Sequence, residues 1–296
     1  MVCFVILHYI ATELTCKCIE SILKLTGEKQ IIVVDNASPN NSGEIIKKQY
    51  DENVQVDVII NKDNEGFARG NNVGYVFAKQ HYNPDYIAIL NNDVEINQKD
   101  FIARINEIYD VEHFHILGPD IYSTLQNMHQ SPKGERHYSY EKLKELKKKA
   151  QFRLDHPLYV KFTGTVKNID WVNKVYYKNQ RKARQGSLDY SVKHYNVVLH
   201  GACVIFSKDY IQNHIHAFYP GTFMYLEMDI LDYLCRRENL KVMYSPEIRI
   251  IHREKQATGR TYKKNAEKTI FMSKCGIQSY SCLMQLMEED HYKEIN

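Results

Sequence analysis

Short apolar runs and helical patterns alternate through the first 120 residues. Val2–Leu7, Ile31–Val34, Val54–Ile60 and Tyr86–Leu90 are rich in Val and Ile and read as strands. Between them Leu14, Cys18, Ile22 and Leu25 recur at helical spacing, and Glu44–Tyr50 and Arg69–Gln80 are further helix candidates. This order predicts an α/β fold, a largely parallel sheet with helices on both faces. Such sheets take ligands beyond the carboxyl ends of their strands. The rhythm breaks between Glu141 and Lys193, where only Glu141–Phe152 reads as helix. It resumes with Val197–Phe206 (strand), Met228–Arg237 (helix), and Lys241–Tyr244 and Ile248–His252 (strands). The stretch 261–296 reads as helical, with Tyr280, Leu283, Leu286 and Met287 on one apolar face.

Composition sharpens this picture in two places. The 296 residues, 44% hydrophobic and 25% charged, suffice for one large domain or two small ones and exclude a disordered chain. The net charge of +3 is unevenly spread. Glu141–Lys193 holds 14 Lys/Arg against 5 Asp/Glu, which leaves the remainder acidic. Three readings of that basic segment stand: a solvated helix face, attachment to an anionic membrane surface, or nucleic-acid binding, for which no recognition motif accompanies the charge. The seven cysteines are odd in number and form no C-x-x-C pair, which argues against a zinc site or disulfide framework and for a reducing cytosol. No apolar run approaches the ~18 residues that span a bilayer. The opening Val2–Leu7 has no basic stretch before it and reads as a buried strand, not a signal peptide.

The residues after each strand carry the candidate chemistry. Val34 runs into Asp35-Asn36-Ala37-Ser38-Pro39-Asn40, a turn whose Asp can accept hydrogen bonds from a ribose or base. Asn64-Glu65-Gly66-Phe67-Ala68-Arg69-Gly70-Asn71-Asn72-Val73-Gly74 lets backbone approach a ligand at a helix start, yet it matches neither a P-loop nor G-x-G-x-x-G. Tyr86–Leu90 delivers Asn91-Asn92-Asp93, oxygen donors suited to a hard divalent cation. Ile248–Ile251 delivers His252, followed by the cationic Arg253, Lys255 and Arg260, an arrangement that a metal-bound diphosphate would need.

In this order the motifs resemble the nucleotide-sugar half of family 2 glycosyltransferases. The second half agrees: His200-Gly201-Ala202 before Val204-Ile205-Phe206 looks like the acceptor-side strand, and Phe223-x-Tyr225-x-Glu227-x-Asp229-Ile230-Leu231 looks like the acidic catalytic segment. The resemblance covers roughly residues 2–120 and 197–260. It implies one GT-A catalytic domain over 1–260, containing a basic insertion at about 130–196, with a C-terminal helical segment at 261–296. It implies inverting, metal-dependent sugar transfer from a UDP- or dTDP-sugar to a hydroxyl of a saccharide or polyprenyl-diphosphate-linked saccharide. The setting implied is bacterial capsule or cell-surface polysaccharide synthesis, in the cytoplasm or at the inner face of the membrane.

The same resemblance assigns residues. His8, Tyr9, Asp35, Asn36, Asn64, Gly66, Phe67, Ala68, Arg69, Asn71, Asn72, Asn91 and Asn92 form the donor-binding set. His200, Gly201 and Ala202 line the acceptor side. Asp93 and His252 hold Mn²⁺ or Mg²⁺, and Arg253, Lys255 and Arg260 face the diphosphate. A carboxylate must take the acceptor's proton, and Glu227 and Asp229 are the two candidates. Two positions depart from the family pattern. Asn91 stands where the first Asp of Asp-x-Asp is usual, and Met228 stands where many relatives carry a second adjacent acid. These departures keep a competing expectation open, a weakly active or non-catalytic nucleotide-sugar-binding protein.

Overall fold

A computed structural model describes residues 1–134, 137–167, 188–254 and 265–295. They fall into two compact units. The first joins 1–137, 190–220 and 227–257; the second joins 138–189, 221–226 and 258–296.

The first unit is built on one mixed sheet. Its strands are β1 (Val2–His8), β2 (Lys29–Asp35), β3 (Val56–Ile60), β4 (Tyr86–Asn91), β5 (Val94–Glu95), β6 (Ile116–Ser123), β7 (Met128–His129), β8 (His194–Tyr195), β9 (Cys203–Ser207) and β10 (Val242–His252). Along the main path the order is β3-β2-β1-β4-β9-β6-β10-β5, with β7 on β6 and β8 on β10. β1 pairs in parallel with both β2 and β4, whereas β9 runs antiparallel between β4 and β6. β1 is covered on both faces, which is why its sequence is a continuous apolar run. Phe4 and Ile6 enter one core layer while Cys3 and Val5 enter the opposite one, the two-residue alternation of a strand.

Helices α1 (Thr12–Leu23) and α4 (Phe101–Glu112) cover the first layer; α3 (Gly66–Tyr82) and α8 (Glu227–Arg237) cover the second. The short helices α2 (Ser42–Gln49) and α7 (Lys208–Asn213) follow β2 and β9. Gly74 lets α3 lie close on the sheet: a Cβ there would sit 2.4 Å from Val5 Cγ1 and 2.9 Å from Val34 Cγ2. Register then positions the chemistry. His8 lies beside Asp35, and Leu7 beside Asn91, at one edge of the parallel strands. At the last step of the strand order β5 runs antiparallel to β10 with Val94 opposite His252, which brings Asp93 to that histidine.

Several elements differ from the pattern-based expectation. Lys241–Tyr244 and Ile248–His252 belong to one strand, β10, whose register shifts between Ser245 and Arg249, where Pro246 removes a backbone donor. Val197–Leu199 is buried chain outside the strand, His200 and Gly201 are half-buried, and β9 begins at Cys203. α4 and β6 fall in a stretch for which the pattern predicts no named element.

The second unit is helical: α5 (Tyr140–Asp155), α6 (Pro157–Lys167) and α9 (Asn265–Ile295). Ser139 caps α5, its hydroxyl accepting from the Lys142 amide at 3.2 Å. α5 and α6 both pack on α9, burying Leu143, Ala150, Val160, Leu283 and Leu286. The insertion expected at about 130–196 and the helical segment expected at 261–296 thus meet in one unit. Trp171 lies outside the described residues.

Candidate active site at the strand ends

The carboxyl end of β1 and β2 is a closed hydrogen-bond network. The Asp35 carboxylate is buried and accepts from the Ser38 hydroxyl and, at 3.3 Å, from the Ser38 amide. The first turn of α2 presses against it: a Cβ on Gly43 would lie 2.4 Å from Asp35 Oδ2. His8 is fully buried, with Nδ1 2.6 Å from Thr15 Oγ1, Nε2 2.8 Å from Ser42 Oγ, and Nε2 3.8 Å from Asp35 Oδ1. Burial pushes the His8 imidazole down to about 4, only partly offset by Asp35.

Asn36 uses both ends of its amide. It donates to Asn64 Oδ1 and Gly66 O, each at 3.0 Å, and accepts from Asn61 Nδ2 at 3.2 Å and the Glu65 amide at 3.0 Å. It therefore ties the Asn64–Gly66 turn to β2. The sequence placed Asn72 among the donor contacts; its amide closes on the Phe218 backbone, donating at 2.7 Å and accepting at 3.0 Å. Asn92 likewise turns inward to Thr15 Oγ1 at 3.1 Å. Arg69 pairs with Glu65 at 3.1 Å, and Ala68 is buried in the core. Asn71 is buried, donates to Phe67 O at 2.9 Å, and leaves its own carbonyl oxygen without a partner. The Asn91 amide donates to Ala202 O at 3.0 Å, joining the ends of β4 and β9.

Further along the same carboxyl edge, just past β4, lie Asp93 and His252; Asn92 beside them bonds Thr15, the partner of His8. His252 Nε2 is 3.0 Å from Asp93 Oδ1, and its Nδ1 is 2.8 Å from Gln130 Oε1. The His200 ring lies 5.8 Å from the His252 ring, so the His200-Gly201-Ala202 segment borders the same place. Arg253 pairs with Glu95, its guanidinium donating through two bonds of 2.9 and 2.7 Å. Lys255 and Arg260 lie outside the described residues.

α8 carries Glu227 and Asp229 in its first turn, where the helix dipole favours carboxylates. Two residues of positive φ, Tyr225 (76°) and Leu226 (67°), lead the chain into Glu227. Burial raises the Asp229 carboxyl above its ordinary range, with Lys133 and His137 opposing that rise and Asp232 adding to it. Asp232 itself is held by His137 at 2.7 Å and Arg236 at 3.1 Å. Met228 packs against Gly201: a Cβ there would be 3.4 Å from Met228 Cγ and 3.7 Å from Phe67 Cζ. A Cβ at 201 would thus make ordinary contact with Met228 and Phe67.

Ser42, Gly43, Gln130 and Lys133 were absent from the sequence reading. Nothing local marks them, because each gains its place through a partner distant in the chain. An apolar groove of about 590 Å³ runs along α3, lined by Ile59, Val73, Val76 and Phe77 among others. It contains none of the carboxylates above, though Arg69 and Asn72 line it.

A mixed sheet with helices on both faces, donors at its parallel edge and an acid–histidine pair where β5 meets β10, defines the GT-A class of fold. The sequence model of Glycosyl transferase family 2 matches residues 3–215, and the chain belongs to that family. S. aureus TarS 1-349 in complex with UDP superposes with a TM-score of 0.53 at 11% identity, covering 92% of this chain and 64% of that one. S. aureus TarS 1-349 gives a TM-score of 0.51 at 10% identity over 85% of this chain and 60% of that one. At such identities the likeness shows the fold. The Low-salt glycan biosynthesis hexosyltransferase Agl10 of Haloferax volcanii is 30% identical over 98 residues, 33% of this chain and 30% of that protein. The chain thus spans less than two thirds of the length of each of these relatives.

Proposed function

We propose that the chain is an inverting glycosyltransferase that moves a sugar from a UDP- or dTDP-donor to a saccharide or lipid-linked saccharide hydroxyl. Its expected setting is bacterial capsule or cell-surface polysaccharide synthesis. The observation that carries this reading is the Asp93–His252 pair beside the His200-Gly201-Ala202 segment in a family 2 fold. TarS, a neighbour in fold, has been crystallised with UDP.

Among the described residues no cluster of three or more His, Cys, Asp and Glu is arranged around a cation. A two-donor seat still suits Mn²⁺ or Mg²⁺, which take one or two protein ligands and complete their sphere with phosphate and water. Asp93 supplies an oxygen and His252 a nitrogen 3.0 Å apart. The metal would stabilise the charge on the departing diphosphate. Asp35 and Ser38 shape the nucleotide end, and Asp229 or Glu227 accepts the acceptor hydroxyl's proton. A carboxyl raised by burial is matched to that task better than an ordinary one. The deciding experiment is a thermal-shift screen of UDP- and dTDP-sugars with and without Mn²⁺, followed by transfer assays on those that bind. A metal-independent response to every nucleotide removes the Asp93–His252 assignment. Binding without transfer favours the weakly active reading that Met228 keeps open.

The second unit supports attachment to an anionic membrane. Phe152 (49% exposed), Leu158 (78%), Tyr159 (54%) and Phe162 (70%) crowd the α5–α6 junction. Lys144, Lys147, Lys148 and Arg153 beside them make no ion pair among the described residues. Apolar side chains flanked by lysines suit a headgroup layer, where each cation contributes about 1 kcal/mol. No helix among the described residues is long and apolar enough to cross a membrane. Co-sedimentation with phosphatidylglycerol vesicles, strong at low salt and lost at high salt, checks this, and Leu158→Ser with Phe162→Ser should weaken it. Equal pelleting at both salt levels, or none, sinks it.

A further inference from the structure

We propose that Gln130 is a positioning residue: it fixes the His252 ring with its hydrogen on Nδ1, so that the Nε2 lone pair faces Asp93 and a divalent cation between them. The proposal rests on the metal reading above and deepens it.

The argument starts at Glu254. A carboxylate only accepts hydrogen bonds. Gln126 Nε2 donates to both Glu254 oxygens, at 2.9 and 3.0 Å, and Gln130 Nε2 donates to Glu254 Oε1 as well. The nitrogen end of the Gln130 amide is thereby assigned, since the reverse orientation would set its carbonyl against a carboxylate. Its oxygen end then faces His252 Nδ1 at 2.8 Å and demands a hydrogen there. A neutral imidazole with hydrogen on Nδ1 carries its lone pair on Nε2. That lone pair meets Asp93 Oδ1 at 3.0 Å. Asp93 accepts from a hydrogen on Nε2 or, with that hydrogen gone, shares a divalent cation with the lone pair; Gln130 keeps the hydrogen on Nδ1 in both cases.

The backbone holds the relay in place. The Gln130 amide donates to Ile121 O at 2.8 Å, and the Gln126 amide donates to Ser123 Oγ at 3.0 Å, so both glutamines are fixed to β6 on either side of β7. The Arg253–Glu95 pair anchors the chain immediately before Glu254, whose φ is 48°. The His252 side chain is only 8% exposed, which leaves water little access to replace Gln130. Residues that orient a ligating histidine through its second nitrogen typically change metal affinity by about 10- to 100-fold when lost.

The test is a Mn²⁺ titration in the presence of UDP, with free Mn²⁺ read by electron paramagnetic resonance. Gln130→Met should weaken Mn²⁺ binding by about 10- to 100-fold. The exchange variant Gln130→Glu with Glu254→Gln presents an acceptor to His252 again and should return affinity to near the original. Imidazole ¹⁵N spectra of the metal-free protein should show the hydrogen on Nδ1 of His252, and a mixture in Gln130→Met. Unchanged Mn²⁺ affinity in Gln130→Met overturns the proposal, as does a hydrogen found on Nε2 alone in the unsubstituted protein. Should Gln130→Met not fold, the exchange variant decides: Mn²⁺ binding kept supports the relay, and binding lost overturns it. Asp93→Ala and His252→Ala separate the two levels. If both still bind Mn²⁺ normally, the metal reading itself fails.

Discussion

Two stretches of one carboxyl edge treat their carboxylates in opposite ways. Asp35 is enclosed: Ser38 donates to it twice and the first turn of α2 closes over it. Asp93 and Asp229 are far less provided for. Asp93 meets the imidazole of His252, and Asp229 is lifted by burial, a rise that its own backbone amide, Lys133 and His137 only partly oppose. A carboxylate satisfied by internal donors orders the chain around it. One left short of internal partners is ready for an external one, whether a cation or a proton. The Asp35 stretch is therefore a pre-formed cradle, and the Asp93–Asp229 side holds the carboxylates open to an external partner.

The largest expected effect tests that contrast at α8. Asp229→Asn or Glu227→Gln, whichever removes the base, should lower turnover by about 10²–10⁴-fold while donor binding survives. For Asp229 the direction of its shift adds a signature. Burial raises its native carboxyl above the ordinary range, so ionising it costs more in the folded chain than in the unfolded one. Asp229→Asn should then raise the melting temperature at neutral pH while abolishing turnover. Turnover of the unsubstituted enzyme should fall as pH drops through that raised value. If both variants keep their rate, neither residue is the base.

Next in size is Asp93. At a ligand concentration about 100 times the dissociation constant, Mn²⁺ with UDP should stabilise the native chain by about 2.7 kcal/mol. Asp93→Ala should remove the Mn²⁺-dependent part of that gain in a thermal melt. Retention of the full Mn²⁺ response would place the metal elsewhere.

Gly43 probes the cradle. A methyl there overlaps the Asp35 carboxylate, so Gly43→Ala should destabilise by about 1–3 kcal/mol and weaken UDP binding together. A variant with unchanged stability would mean that α2 is free to move away from β2, and that the cradle is not rigid.

How much of this was legible in the chain depends on how far apart the partners lie. The strands β1 to β4 announced themselves as apolar runs, and the residues following them fell where ligand loops belong. Asp35 was singled out correctly as a strand-end acid, but Gly43 gave no sign of touching it, because that contact follows from where α2 turns back. The Asp93–His252 neighbourhood came from family resemblance; composition and periodicity do not reveal it. Its physical cause is the antiparallel pairing of a two-residue strand, β5, with the end of β10. The same pairing sets Ile251 opposite Glu95 and hands Arg253 a carboxylate partner. Asn72 misled for a similar reason. Its polar side chain sits in a loop-and-helix motif, but its partner, the Phe218 backbone, is 146 positions away.

The smallest effect tests whether the cradle is as closed as it looks. His8 titrates at about 4 in the folded chain against 6.5 in an ordinary setting, because burial disfavours the charged ring. Between those values the unfolded chain takes up a proton that the folded chain refuses. Stability is therefore complete above about 6.5 and is lost as pH falls toward 4, at up to about 1.4 kcal/mol per pH unit from this group. Below 4 both states are protonated and the loss from this group stops. His8→Gln, which keeps a polar side chain near Thr15 and Ser42, should flatten urea-derived stability across that interval relative to the parent. Equal slopes in parent and variant would mean that water reaches the ring, and that the cradle is more open than its hydrogen bonds indicate.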